Sequence, residues 1–94
     1  MFIILLRYKT SLDVIDTHLA THRAFLKEGY KKHYFIASGP QNPRTGGVIL
    51  SALKSRSELE AFMQQDPFQI HDVAEYQFIE FDPAMHDEGF ARYL

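Results

Sequence analysis

The chain has 94 residues, 46% of them hydrophobic and 14% aromatic, with a net charge of −2 and no cysteine. That suits one folded domain over residues 1–94, whose single core must supply all its stability. So slight a charge leaves no electrostatic footprint for nucleic acid or an anionic membrane. Without cysteine there are no disulfides, thiolate nucleophiles or thiolate-held metals, which fits a cytoplasmic chain.

From Phe2 to Tyr8 apolar residues fall on both alternating sides, Ile3 and Leu5 with Arg7 on one, Phe2, Ile4, Leu6 and Tyr8 on the other. A strand buried on both faces reads this way. The apolar run stops at Arg7, too early for a signal-peptide core or a membrane span. A T-x-x-D start at Thr10–Asp13 opens a helix that Gly29 is expected to end. Laid out at about 100° per residue, Leu12, Ile15, Leu19, His22, Phe25 and Leu26 share one arc. Asp13, Asp16, Thr17, Ala20, Ala24, Lys27 and Glu28 fall opposite, towards solvent. His22 is therefore expected to face the sheet, where a core histidine with one local hydrogen bond is the plainest explanation.

The runs Tyr34–Ala37 and Val48–Leu50 flank Ser38-Gly-Pro40 and Pro43-Arg-Thr-Gly-Gly47, which predicts a central hairpin with a structured loop. Backbone N–H groups there, with Ser38 and Arg44, suit an anionic or polar ligand, although Gly and Pro punctuate any β connection. Ser55 and Glu58 form a capping box, and Leu59, Phe62 and Met63 supply the stripe of a second helix ending near Gln65. Asp66 before Pro67 has the form of an N-cap followed by proline at the first helical position. A last strand spans Ala74–Phe81. The tail from about residue 83 has helically spaced Phe90, Tyr93 and Leu94 but is too short to stand without docking, for which a partner subunit is the expected place.

Strand, helix, strand, strand, helix, strand is the ferredoxin-like βαββαβ order of an α+β fold: a four-stranded antiparallel sheet with two helices on one face. Two helices leave the other face wet, yet the strands are apolar on both. A homodimer with Tyr34/Ile36 or Phe35/Ala37 against the partner would cover it.

The runs Leu5-Leu-Arg-Tyr8, Ala20-Thr-His-Arg-Ala-Phe-Leu26, Ala37-Ser-Gly-Pro40, Pro43-Arg-Thr-Gly-Gly-Val-Ile49, Gln65-Asp-Pro-Phe68 and Ala74-Glu-Tyr76, closing in Glu80-Phe81, resemble the YciI-like (YCII-related domain) family across nearly the whole chain. The resemblance implies a dimeric α+β barrel, the architecture of muconolactone isomerase and small antibiotic-biosynthesis monooxygenases. It also implies an active site holding a His of the first helix and the Asp of Asp-Pro-Phe, here His22 and Asp66, and it names no substrate. Lys31-Lys-His33 makes a longer, more charged approach to the second strand than in relatives.

A carboxylate beside an imidazole fixes its tautomer and stabilises its protonated form, freeing the other nitrogen to shuttle a proton. The expected function is acid–base chemistry of lyase or isomerase type on a small molecule, with a proton moved next to a carbonyl or enol. Ser38 lacks the G-x-S-x-G elbow of a nucleophile and fits a hydrogen-bond donor to substrate, with Gly39 and Pro40 beside it. Arg7 and Arg44 are candidates to hold a carboxylate or phenolate. The alternative is a non-catalytic homodimer that binds a small ligand or serves structurally, with His22 and Asp66 as a supporting pair. His18 and His22 share the i, i+4 spacing of a metal site, but no H-E-x-x-H accompanies them and His33, His71 and His86 lie in segments expected to be exposed, so no metal is expected. No nucleotide-binding glycine pattern or haem signal is present, and no cofactor is expected.

Overall fold

The computed structural model describes residues 1–94. Strands β1 (Phe2–Tyr8), β2 (Phe35–Pro40), β3 (Gly46–Ser51) and β4 (Ala74–Glu80) form one sheet in the order β2-β3-β1-β4. Every neighbouring pair is antiparallel, and the fold is the ferredoxin-like α+β arrangement. The hairpin β2–β3 lies at one edge rather than at the centre, because β1 pairs with both β3 and β4 and so takes an inner place. Pairing in β2 extends through Ser38-Gly39-Pro40, which leaves only Gln41–Thr45 as the connecting loop.

The first predicted helix is two helices, α1 (Leu12–Thr17) and α2 (Leu19–Lys31). Ser11, not Thr10, caps α1, its Oγ accepting the Val14 N–H at 3.4 Å. The break at His18 follows Thr17, whose hydroxyl donates to the Asp13 carbonyl at 3.0 Å; such back-bonding bends helices. Nor does Gly29 end α2. It is buried inside the helix with the Phe35 ring against its Cα, where any Cβ would collide with that ring. The left-handed residue that turns the chain out is His33, at φ 60°.

Helices α3 (Arg56–Met63) and α4 (Pro67–Ile70) follow the hairpin. Ser55 caps α3 at the Glu58 N–H, and the helix stops two residues short of Gln65. In the tail the helical spacing becomes a 3-10 helix, Glu88–Tyr93. No helix is long and apolar enough to cross a membrane.

The helices cover one sheet face. Phe2, Ile4 and Leu6 of β1 and Ile49 of β3 are buried there with Ile15, Phe25, Leu59, Phe62, Met63 and Phe68. Burying side chains of this size stabilises by about 1.5–3 kcal/mol each. The opposite face carries Ile3, Leu5, Val48 and Leu50, all partly exposed, and Ile79. A register shift between Phe35 and Ala37 means that these two do not share a face: Phe35 turns to the helices and Ala37 does not. The extra residue of the bulge, Ile36, breaks the period of two on which the expected Phe35/Ala37 surface rested.

Candidate active site

Asp66 is the N-cap of α4 and has no exposed surface. Its Oδ1 accepts the Phe68 N–H at 3.0 Å and pairs with His22 Nδ1 at 2.7 Å. Its Oδ2 accepts the Tyr76 hydroxyl at 2.6 Å. The cap and the histidine partner are thus the same oxygen: the aspartate that starts α4 is also the one that meets the imidazole. Three donors satisfy a carboxylate that would otherwise be too costly to bury. Because an ionised carboxylate only accepts, the proton of a neutral His22 sits on Nδ1 and the lone pair on Nε2.

His22 is held in a second direction. Its ring lies flat on that of Phe68, with centroids 3.9 Å apart and planes 6° from parallel. In Asp66-Pro67-Phe68, then, the aspartate fixes the edge of the imidazole, the proline starts α4 and the phenylalanine fixes the face. No protein group bonds Nε2, and His22 lines a cavity of about 370 Å³ between α2 and the β2–β3 hairpin. Ser38, Gly39, Pro40 and Arg44 line the same cavity. Arg7 does not: alternation along β1 puts Leu6 and Tyr8 at the cavity and Arg7 on the other side of the sheet, paired with Glu75.

Two further side chains belong to the arrangement without having been expected there. Tyr76 is held well above the ordinary phenol range, first by burial and then by the charge and hydrogen bond of Asp66, so it remains a donor. Its position two residues after buried Ala74 on an alternating strand is the signal that could have found it, since a core-facing tyrosine hydroxyl needs a partner. Asp16, assigned to solvent by the helical period, reaches Arg44 Nη2 with Oδ1 at 2.5 Å. The hydrogen bond and charge of Arg44, with a smaller contribution from Arg23, hold its carboxyl below the usual range. At another point of contact Tyr30 Oη and Ser38 Oγ lie 2.8 Å apart, tying α2 to β2.

His18 and His22 have different ring partners, His22 lying on Phe68 and bonding Asp66. The His18 ring stacks on that of His71 with centroids 4.1 Å apart. No group of three His, Cys, Asp or Glu side chains is arranged to hold a metal ion.

Fold and site together define a small ferredoxin-like α+β protein with a buried His–Asp pair behind a cavity at the edge of its sheet. Residues 1–82 match the family model of the YCII-related domain, and the chain belongs to that family. Among solved structures it is similar in fold to the 5-chloro-2-hydroxyhydroquinone dehydrochlorinase TftG of Burkholderia phenoliruptrix, in complex with 2,5-dihydroxybenzoquinone. The TM-score is 0.71 at 21% sequence identity, over 87% of this chain and 94% of that one. No curated protein matches the chain in sequence.

Proposed function

We propose that the protein is a small-molecule acid–base enzyme of lyase or isomerase type, with His22 and Asp66 as its catalytic pair. The observation that carries this reading is the 2.7 Å contact between His22 Nδ1 and Asp66, which leaves Nε2 free at the cavity. Nε2 takes a proton from a carbon next to a carbonyl, or from an enol oxygen, and the imidazolium formed is stabilised by the buried carboxylate. Returning the proton to another atom of the substrate isomerises it; expelling a leaving group as the new double bond forms completes an elimination. Ser38 serves as a hydrogen-bond donor to substrate, Gly39 and Pro40 as wall, and Arg44 as the holder of a negative oxygen. Support of a more general kind comes from TftG, a dehydrochlorinase of the same fold with a small quinone bound.

The experiment is a screen of enolisable cyclic ketones for deuterium uptake in D2O, with 5-chloro-2-hydroxyhydroquinone assayed for chloride release. Alongside it, diethyl pyrocarbonate labelling of histidines is read by mass spectrometry. Turnover that is lost in His22→Gln, with His22 labelled in the folded protein, is the expected result. A His22 that resists labelling until the chain unfolds would make the pair structural and favour the non-catalytic binding dimer.

We also propose that two copies pair through the open sheet face, where Ile3, Leu5, Val48, Leu50 and Ile79 place adjacent apolar side chains with no helix over them. Light scattering at micromolar concentration should give twice the chain mass; a stable monomer would remove the proposal.

A further inference from the structure

The cavity at His22 has a one-sided charge. Its lining includes two guanidinium groups, Arg23 and Arg44, and no carboxylate. Asp66 is buried behind the imidazole, with all its donors supplied by the protein. Asp16 meets Arg44 from outside the lining. The rest of the wall is largely apolar and includes Leu19, Leu26, Ile49 and Phe68. A volume of about 370 Å³ is near the lower end of the roughly 300–1,000 Å³ usual for small-molecule sites, which limits the occupant to about one substituted ring.

We propose that this cavity binds a small single-ring organic anion whose charged oxygen is received by Arg44, and that Asp16 competes with that anion for the same guanidinium. This rests on the acid–base reading only for the role of the ring, not for the anion site. A guanidinium carries five N–H donors in a planar fork, and Asp16 engages it through Nη2. Tyr8, which lines the same cavity, also lies against the guanidinium, and the donors that Asp16 and Tyr8 do not take are available to an anion in the cavity that Arg44 lines. An anion there also sits on the Nε2 side of His22, so that a proton can pass between the imidazole and the ring that carries the charge. Asp16 is a positioning residue in this scheme. It holds the long Arg44 side chain across the gap between α1 and the hairpin loop, and the same contact must loosen for the fork to receive a ligand oxygen with both of its arms.

The probe is benzoate, with benzamide as its neutral counterpart of the same shape, titrated into the 15N-labelled full chain and followed through the amide signals of Ser38, Gly39 and Gly47. Benzoate should shift these signals with an affinity at least about tenfold above that of benzamide, the size expected of a charge-assisted hydrogen bond. Arg44→Gln should weaken benzoate by about tenfold or more and leave benzamide nearly unchanged. Asp16→Asn should tighten benzoate by about two- to fivefold, because an exposed ion pair of that strength no longer competes. Arg44→Lys, which keeps charge but not the fork, should fall between wild type and Arg44→Gln, and it serves as the reading if Arg44→Gln does not fold. Equal affinity for the two probes, absence of shifts up to about 10 mM benzoate, or indifference to both Arg44 substitutions would overturn the anion site. Benzoate binding that is unchanged or weakened in Asp16→Asn would overturn the competition. Retention of benzoate binding in His22→Gln, even if no substrate is ever turned over, keeps the anion site separate from the catalytic reading.

Discussion

The covered face of the sheet has two ends that differ in kind. At one, Phe25, Phe35 and Phe62 meet ring to ring, Phe25 and Phe62 with centroids 4.9 Å apart and Phe35 and Phe62 at 5.8 Å, and Leu59 and Met63 have no exposed surface. At the other lies the cavity with His22. The same helix, α2, and the same hairpin bound both ends. What changes is the bulk of β2, which begins with Phe35 and finishes in Ser38-Gly39-Pro40 opposite Gly47, with little side chain to reach the helix. Packing is therefore withdrawn from one end by composition, not by a change of architecture. The polar groups around it remain satisfied, since no buried side-chain nitrogen or oxygen lacks a partner.

Breaking the packed end should have the largest effect. Phe62→Ala removes a ring that touches Phe25, Tyr34 and Phe35, and is expected to cost about 3–5 kcal/mol in urea unfolding. Overfilling the same end should also hurt: a Cβ at Gly29 falls on the Phe35 ring, so Gly29→Ala should cost about 1–3 kcal/mol although alanine is the better helix former. Gain of stability in Gly29→Ala would mean that Phe35 can move aside, and that the packed end is looser than its aromatic contacts indicate.

Behind the cavity, Tyr76→Phe leaves the buried Asp66 Oδ2 without its donor and should cost about 1–3 kcal/mol at neutral pH. The pH dependence has a definite sign. Burial and Asp66 raise the phenol above its ordinary value, so the contribution of Tyr76 is complete below about pH 10 and is lost as pH rises beyond it, where the unfolded chain gives up the proton and the folded chain keeps it. This one group should add a downward slope of about 1.4 kcal/mol per pH unit in that alkaline window. Denaturation of wild type and Tyr76→Phe between neutral pH and pH 11 should show the two converging; parallel curves would contradict the assignment. The Asp16–Arg44 pair acts at the other limit. Its lowered carboxyl gives stability present above the usual carboxylate range and lost as pH falls through the lowered value.

Much of this arrangement is written in local patterns. Alternation in β1 puts Phe2, Ile4 and Leu6 on one face, which the assembled fold then makes the core side, the helical period turns His22 to the sheet, and Asp66-Pro67 announces a cap. Those are decisions taken within a few residues. The features that escaped depend on contacts distant in sequence. Gly29 resembles a helix stop until Phe35 is known to lie against it, and the Phe35/Ala37 face disappears only with the bulge in its pairing to β3. Asp16 belongs to the solvent arc of its helix and still reaches Arg44, since the hairpin loop comes to it. The family resemblance pointed to His22 and Asp66, whereas Tyr76 and Asp16, which hold Asp66 and Arg44 in place, appear only with the fold assembled.

The smallest expected effect on stability is at the cavity end, and it tests the contrast most directly. Ser38 is exposed, lines the cavity and pairs in register with Ile49, so its side chain lies on the helix-covered side of β2. Ser38→Val adds apolar bulk there, suits a strand by its β-branched shape and gives up one exposed hydrogen bond to Tyr30 that water can replace. Its unfolding free energy should stay within about 0.5 kcal/mol of wild type. A single methyl at Gly29, on the same sheet face and against the same strand, should cost several times as much. Ligand should respond in the opposite order, since valine takes up part of the cavity and removes the hydroxyl facing it: benzoate titration is expected to fail in Ser38→Val and to persist in Gly29→Ala if that variant is folded. A Ser38→Val protein destabilised as much as Gly29→Ala would show that both ends are close-packed, and the cavity would then have no claim to be a site.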